Sequence, residues 1–98
     1  MIATKQKTED EIMRDLLLEM AKALVDDSAA INVELEEANG VTTLNLRVAP
    51  TDTGKLIGKQ GRTARSLRVI LSGAGMKLHK RYNLNIHEEG RQPTIRGR

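Results

Sequence analysis

The chain has 98 residues, no cysteine, 39% hydrophobic and 30% charged residues, and a formal net charge of +3. That is room for one domain around one core, with the balance of a folded globular chain rather than a disordered one. Disulfides, thiolate catalysis and cysteine-ligated zinc are excluded; with no apolar run near the ~20 residues of a membrane span and no secretory signal in Met1–Lys5, a cytoplasmic protein is expected.

Residues 1–8 read as a flexible N-terminus. Thr8 and Glu11 have the spacing of a capping box, the hydroxyl on an orphan backbone N–H and the carboxylate reaching back. From Glu9 to about Val25, Ile12, Met13, Leu16, Leu17, Met20 and Leu24 recur at helical spacing, and Asp26-Asp27-Ser28 ends the stripe. Two alternating segments follow, Ile31, Val33 and Leu35 in one and Leu44, Leu46 and Val48 in the other. Asn39-Gly40 between them suits the positive φ angles of a two-residue turn, which predicts an antiparallel hairpin over 31–48, closed by Pro50. Thr51 or Asp52 can cap a short helix over about 52–57.

The loop Gly58-Lys59-Gln60-Gly61 comes next. A longer helix is predicted from about Arg62 to Lys80, with Ala64, Leu67, Leu71, Ala74 and Leu78 along one face. Gly73 and Gly75 lie inside it at ~1 kcal/mol each relative to Ala, so the helix must either pack closely there or be irregular. Tyr82, Leu84 and Ile86 alternate as a last strand, and 89–98 reads as a flexible basic tail containing Arg91, Arg96 and Arg98. The order is helix, strand, strand, short helix, loop, helix, strand. Strands 41–48 and 82–87 are joined through helices, so as neighbours they should be parallel with a right-handed crossover. The expected fold is α+β, a three-stranded mixed sheet with helices on one face.

Charge is divided unevenly. Residues 1–52 hold eleven of thirteen acids and five of sixteen bases, whereas 53–87 contain no acid and eight bases: Lys55, Lys59, Arg62, Arg65, Arg68, Lys77, Lys80 and Arg81. An acidic half and a basic half imply one face for a polyanion. A solvated basic helix would explain the charges equally well, so a second signal has to decide.

That signal is the glycine loop. Two glycines around two polar residues, between helices, let the backbone turn sharply and approach another chain. The following helix offers unpaired N–H groups and its positive dipole end, where a phosphate fits. Lys59 and Arg62 add cationic side chains, Lys55, Arg65 and Arg68 extend the field, and Ile57 is expected to face an apolar floor rather than solvent. A Walker A loop fails, because only three residues separate Gly54 and Gly58 and Gln60 follows Lys59. A dinucleotide fingerprint fails too, because Leu56 stands where its first glycine would be. RNA or another single-stranded nucleic acid is the partner class this combination fits.

Val48-Ala49-Pro50, followed by Gly54-Lys55-Leu56-Ile57-Gly58-Lys59-Gln60-Gly61-Arg62-Thr63-Ala64, resembles the centre of the bacterial single-KH-domain RNA-binding proteins of the KhpA (YlqC) type. The leading helix ending in Leu24-Val25-Asp26 is similar to that family's start, and the resemblance covers about 9–88. It implies a type II KH domain over 9–88 and a groove between the GxxG loop, its flanking helices and the sheet edge, holding about four nucleotides. By position, Gly58, Lys59, Gln60 and Gly61 would clamp the RNA backbone, with Ile57, Leu56 and Ile70 lining or supporting the groove. It further implies homodimers or pairing with a larger KH-containing protein of the Jag (KhpB) type, and post-transcriptional control linked to cell elongation and division.

No enzyme is indicated. His79 and His87 are isolated, Ser66 and Ser72 lack any nucleophile context, and neither a metal, a cofactor nor a small-molecule substrate is expected. Tyr82, the only aromatic residue, is expected half in the core with its hydroxyl in water. The scarcity of aromatics argues against an RRM, whose sheet stacks bases. An alternative role is a KH-fold dimerisation or interaction module acting through a protein partner.

Overall fold

A computed structural model describes residues 8–88. The predicted flexible segments, apart from Thr8, lie outside the described residues, as do Arg91, Arg96 and Arg98. The elements are α1 (Glu9–Leu24), β1 (Asn32–Ala38), β2 (Val41–Val48), α2 (Thr53–Ile57), α3 (Arg62–Leu78) and β3 (Arg81–Glu88). Short 3₁₀ turns occupy Ser28–Ala30, Pro50–Asp52 and Lys59–Gly61.

α1 starts on the predicted capping box. The Glu11 N–H donates to Thr8 Oγ1 at 3.2 Å, and the Thr8 N–H donates to Glu11 Oε1 at 3.0 Å. Glu9, Asp10 and Glu11 place negative charge at the positive end of the helix dipole. Met13, Leu17 and Ala21, four residues apart, form its buried line.

The sheet order is β1-β2-β3, antiparallel across β1/β2 and parallel across β2/β3. Asn39 and Gly40 take φ 55° and 78°, so the hairpin turns as their types predict and Ala38 pairs with Val41. Leu44, Leu46 and Val48 of the central strand are fully buried. Met13 and Leu17 of α1, Leu56 of α2, and Leu67 and Leu71 of α3 cover them in one cluster. Each such fully buried side chain contributes about 1.5–3 kcal/mol relative to exposure.

The other face of the sheet is polar yet locally shielded. Asn45, only 9% exposed, donates through Nδ2 to Glu36 Oε1 at 3.1 Å. Its Oδ1 accepts from Asn85 Nδ2 at 3.3 Å and lies 3.1 Å from His87 Nε2. Burial, followed by the charge of Arg47, pushes the His87 pKa below its ordinary value.

α3 runs unbroken through both of its glycines. A Cβ on Gly75 would stand 2.7 Å from the Lys80 carbonyl oxygen and 2.9 Å from Tyr82 Cδ2, so close packing decides that position. A Cβ on Gly73 would meet open space. The helix stops at Leu78 rather than Lys80 because His79 turns left-handed, at φ 60°. The chain then enters β3, where the Tyr82 hydroxyl donates to Asp10 Oδ1 at 2.6 Å instead of ending in water. Lys80 Nζ donates to the same oxygen at 2.9 Å. The Tyr82 hydroxyl and then Lys80 hold the Asp10 carboxyl below the usual carboxylate range.

Candidate nucleic-acid interface

α2 has five residues, too few to persist by itself, so its position comes from tertiary contacts. Leu56 is fully buried and plugs it into the core, below any groove rather than lining one. Asp52 does not cap it, as its place in the sequence predicts. The Asp52 side chain is fully buried and accepts the backbone N–H groups of Asp26 at 3.1 Å and Asp27 at 3.0 Å. The carboxylate thereby satisfies donors at the corner after α1, which outweighs a local cap. Those two N–H groups, with Asp27's the larger cause, and then Lys55 hold its pKa below the ordinary value.

Lys55 is drawn to that corner as well. Its Nζ lies 3.3 Å from Asp52 Oδ1 and 3.3 Å from Asp26 Oδ2, and Asp26 and Asp52 in that order raise its pKa. Two carboxylates therefore compensate a charge that the sequence assigns to the loop's field.

The loop itself is held by backbone conformations that few residues accept. Gly58 takes φ 77° and ψ 174°, a region essentially restricted to glycine. A Cβ there would also sit 2.8 Å from Thr63 Cβ and 2.9 Å from Thr63 N. Gln60 (φ 55°, ψ 28°) and Gly61 (φ 73°, ψ 15°) are consecutive left-handed residues. For Gln60 that conformation costs about 1–2 kcal/mol, strain of the kind found at ligand clamps. Hydrogen bonds from Gly58 N to Gly54 O (2.8 Å) and from Gly61 N to Gly58 O (3.2 Å) close the turn. No side chain caps the N-terminus of α3; the Arg62 N–H donates back to the Lys59 carbonyl, and the positive dipole end of the helix faces the loop.

Around this backbone, Lys59 and Arg65 are exposed and, among the described residues, have no ion-pair or hydrogen-bond partner. Arg62 donates to Gln60 Oε1 at 3.2 Å. Ile57 is 40% exposed, so it faces solvent beside the loop and not an apolar floor. Ile70 is exposed on α3. The structure thus gathers Ile57 through Arg62, with Arg65 one turn further on, and sets Lys55 apart.

Sequence reasoning gave Arg68 only a place in the general field. Its Nε and Nη2 both donate to the Leu84 carbonyl oxygen, at 3.3 and 3.2 Å. This contact borders a groove of about 370 Å³ between α3 and the edge strand β3, also lined by Leu71, Ser72, Asn83 and Leu84. Its place in the basic segment was visible, but its partner is a backbone atom and leaves no residue signature.

Comparison with known proteins agrees with this architecture. The family model described as KhpA/KhpB, KH domain, matches residues 14–86. The chain is 43% identical over 76 residues to RNA-binding protein KhpA of Aquifex aeolicus, covering 78% of this chain and 96% of that protein. It is 38% identical over 79 residues to RNA-binding protein KhpA of Bacillus subtilis, covering 81% and 98% respectively. Among solved structures, Era in complex with MgGDPNP and nucleotides 1506–1542 of 16S ribosomal RNA aligns with a TM-score of 0.59 over 90% of this chain. Identity there is 15% and this chain spans 36% of that one, so the likeness is one of fold.

Proposed function

The chain belongs to the KhpA/KhpB KH-domain family, and from that premise we propose that it is a non-enzymatic protein gripping a short single-stranded RNA segment at Gly58-Lys59-Gln60-Gly61. The observation that carries this reading is the loop: three positive-φ residues in four, next to an uncapped helix N-terminus with uncompensated cations beside it. Backbone N–H groups in such turns and at helix starts favour anions. Lys59 and Arg62 bind the phosphates, Arg65 continues the track, and Ile57 offers an apolar contact to a base or ribose. Lys55 acts chiefly by fixing α2, since Asp26 and Asp52 offset its charge.

Replacing Lys59 and Gln60 together by Asp sets two carboxylates at the phosphate site without touching the core. RNA binding should be lost while the melting temperature barely moves; binding that survives overturns the loop assignment. A matched single-stranded DNA tests the preference for RNA through the 2′-hydroxyl. A cytoplasmic role in post-transcriptional regulation, linked to cell elongation and division, rests on family membership. Crosslinking in cells followed by sequencing of the attached RNA tests it.

A second reading is favoured by one feature. Val69, Ile70 and Met76 on α3 are 64%, 47% and 74% exposed, an apolar surface suited to a protein partner. In this reading the domain pairs with a second copy of itself, or with a larger KH-containing protein of the Jag (KhpB) type, and a dimer gains avidity for RNA. Light scattering across a dilution series, with and without RNA, separates a concentration-dependent dimer from a monomer.

A further inference from the structure

We propose that Arg68 selects the base that lies against β3, favouring guanine or cytosine over adenine and uracil. The proposal rests on the RNA-binding reading and deepens it. A guanidinium carries five N–H donors in a fixed plane. Two of Arg68's are spent on the Leu84 carbonyl, through Nε and Nη2, which orients the plane beside the groove before any ligand arrives. Among the described residues the other three have no acceptor, and the Nη1–Nη2 edge that carries them can form a parallel pair of hydrogen bonds.

Such an edge needs two adjacent acceptors. Guanine presents them as O6 and N7, and cytosine as N3 and O2. Adenine sets the N6 amine beside N7 or N1, and uracil sets N3–H between its carbonyls, so each opposes a donor to a donor. Position agrees with this role. Arg68 lies six residues beyond Arg62, about 9 Å along the helix axis at 1.5 Å per residue, within the span of the four nucleotides a GxxG loop holds. The groove beside it is bordered by Leu71, Ser72 and Asn83, room for a base next to the strand edge. The loop cations meet a repeating backbone and cannot supply this discrimination. Preorganisation by Leu84 reduces the entropy lost when the pair forms.

The test measures affinities for a ten-uridine RNA and for the same RNA with one central guanine, cytosine or adenine, using the wild-type chain and the Arg68→Lys variant. The wild type should prefer the guanine or cytosine oligomer by about tenfold over adenine or uridine, the lower end for one bidentate base contact. R68K keeps the charge and loses the fork, so the preference should shrink to within about twofold while uridine binding and its salt dependence stay as in the wild type. A wild-type chain that binds all four oligomers equally overturns the proposal, as does an R68K variant that keeps the preference. Equal weakening on every oligomer, with a salt slope shallower by about one, makes Arg68 a phosphate ligand and also overturns it. Arg68→Gln replaces R68K if melting shows that variant unfolded, and there only the loss of base preference is read, because the substitution itself removes a charge. No binding of any oligomer by the wild type would instead sink the RNA-binding reading itself.

Discussion

Helix α3 is preceded by Gly61 at φ 73° and followed by His79 at φ 60°, so both of its ends turn through left-handed backbone. At the C-terminal end the groups nearest the turn are engaged, although Lys77 and Arg81 are exposed and have no ion-pair or hydrogen-bond partner among the described residues. Gly75 lets Tyr82 and the Lys80 carbonyl close in, and Lys80 and the Tyr82 hydroxyl both donate hydrogen bonds to Asp10. At the N-terminal end the backbone is equally constrained, yet no side chain caps the helix and Lys59 and Arg65 are uncommitted. Unpaired cations therefore stand at both ends, and the ends differ in the helix dipole: the C-terminal cations offset its negative end, whereas the loop faces its positive end. Neither left-handed backbone nor free charge marks the candidate site by itself; the two together with the positive end of the helix do.

Substitutions at the paired glycines should break that comparison most sharply. Gly58→Ala meets both an excluded φ/ψ region and Thr63, and should cost about 3 kcal/mol and abolish RNA binding. Gly75→Ala drives a methyl into Lys80 and Tyr82, and should cost about 2 kcal/mol while the folded fraction binds RNA as before. Urea melts paired with an RNA titration check both, and the division of labour fails if G75A loses binding or G58A keeps it. Tyr82→Phe removes one hydrogen bond to a carboxylate and should cost about 1.5 kcal/mol, again without effect on RNA affinity.

The acid limb of stability should show a smaller difference. Asp10 and Asp52 have folded pKa values below the ordinary 3.8. Their stabilisation is therefore full above that value and disappears as pH falls through the lower folded values. Y82F, by returning Asp10 toward 3.8, should flatten that limb in a pH series of denaturant melts. His87 makes the slightest contribution. Its folded pKa lies below the ordinary 6.5, so the unfolded chain takes up the proton first and stability declines as pH falls below about 6.5. His87→Gln should remove that gentle slope, and a slope of opposite sign in the wild type would contradict the burial of the ring.

Much of this was legible in residue spacing. Periodicities of 3.6 and 2 fixed the elements, Asn39-Gly40 set the hairpin, and Gly58 and Gly61 located the loop. Contacts across the fold were not legible. Asp52 meets backbone donors 25 and 26 residues away, which a local capping rule cannot foresee. Tyr82 finds Asp10 at a separation of 72, so its hydroxyl looked free. Gly75 stayed ambiguous between close packing and irregularity until β3 could be seen against it. Lys55 reads like its basic neighbours because Asp26, the partner that draws it to the corner after α1, lies 29 residues away, beyond its local neighbour Asp52.

The buried Asp52 carboxylate also bears on modularity. The stretch from β2 to β3 contains the whole GxxG unit, and in sequence it resembles a cassette that could be cut out and grafted elsewhere. Its acceptor oxygens, however, are matched to N–H groups that lie before β1, at the corner after α1. A fragment beginning at Val41 would carry an acid built for a dry site, with its donors left behind and Leu56 stripped of its α1 neighbours. The GxxG loop is therefore inherited together with the leading helix and first strand. A shortened or transplanted version needs a replacement for that corner before it needs anything at the loop.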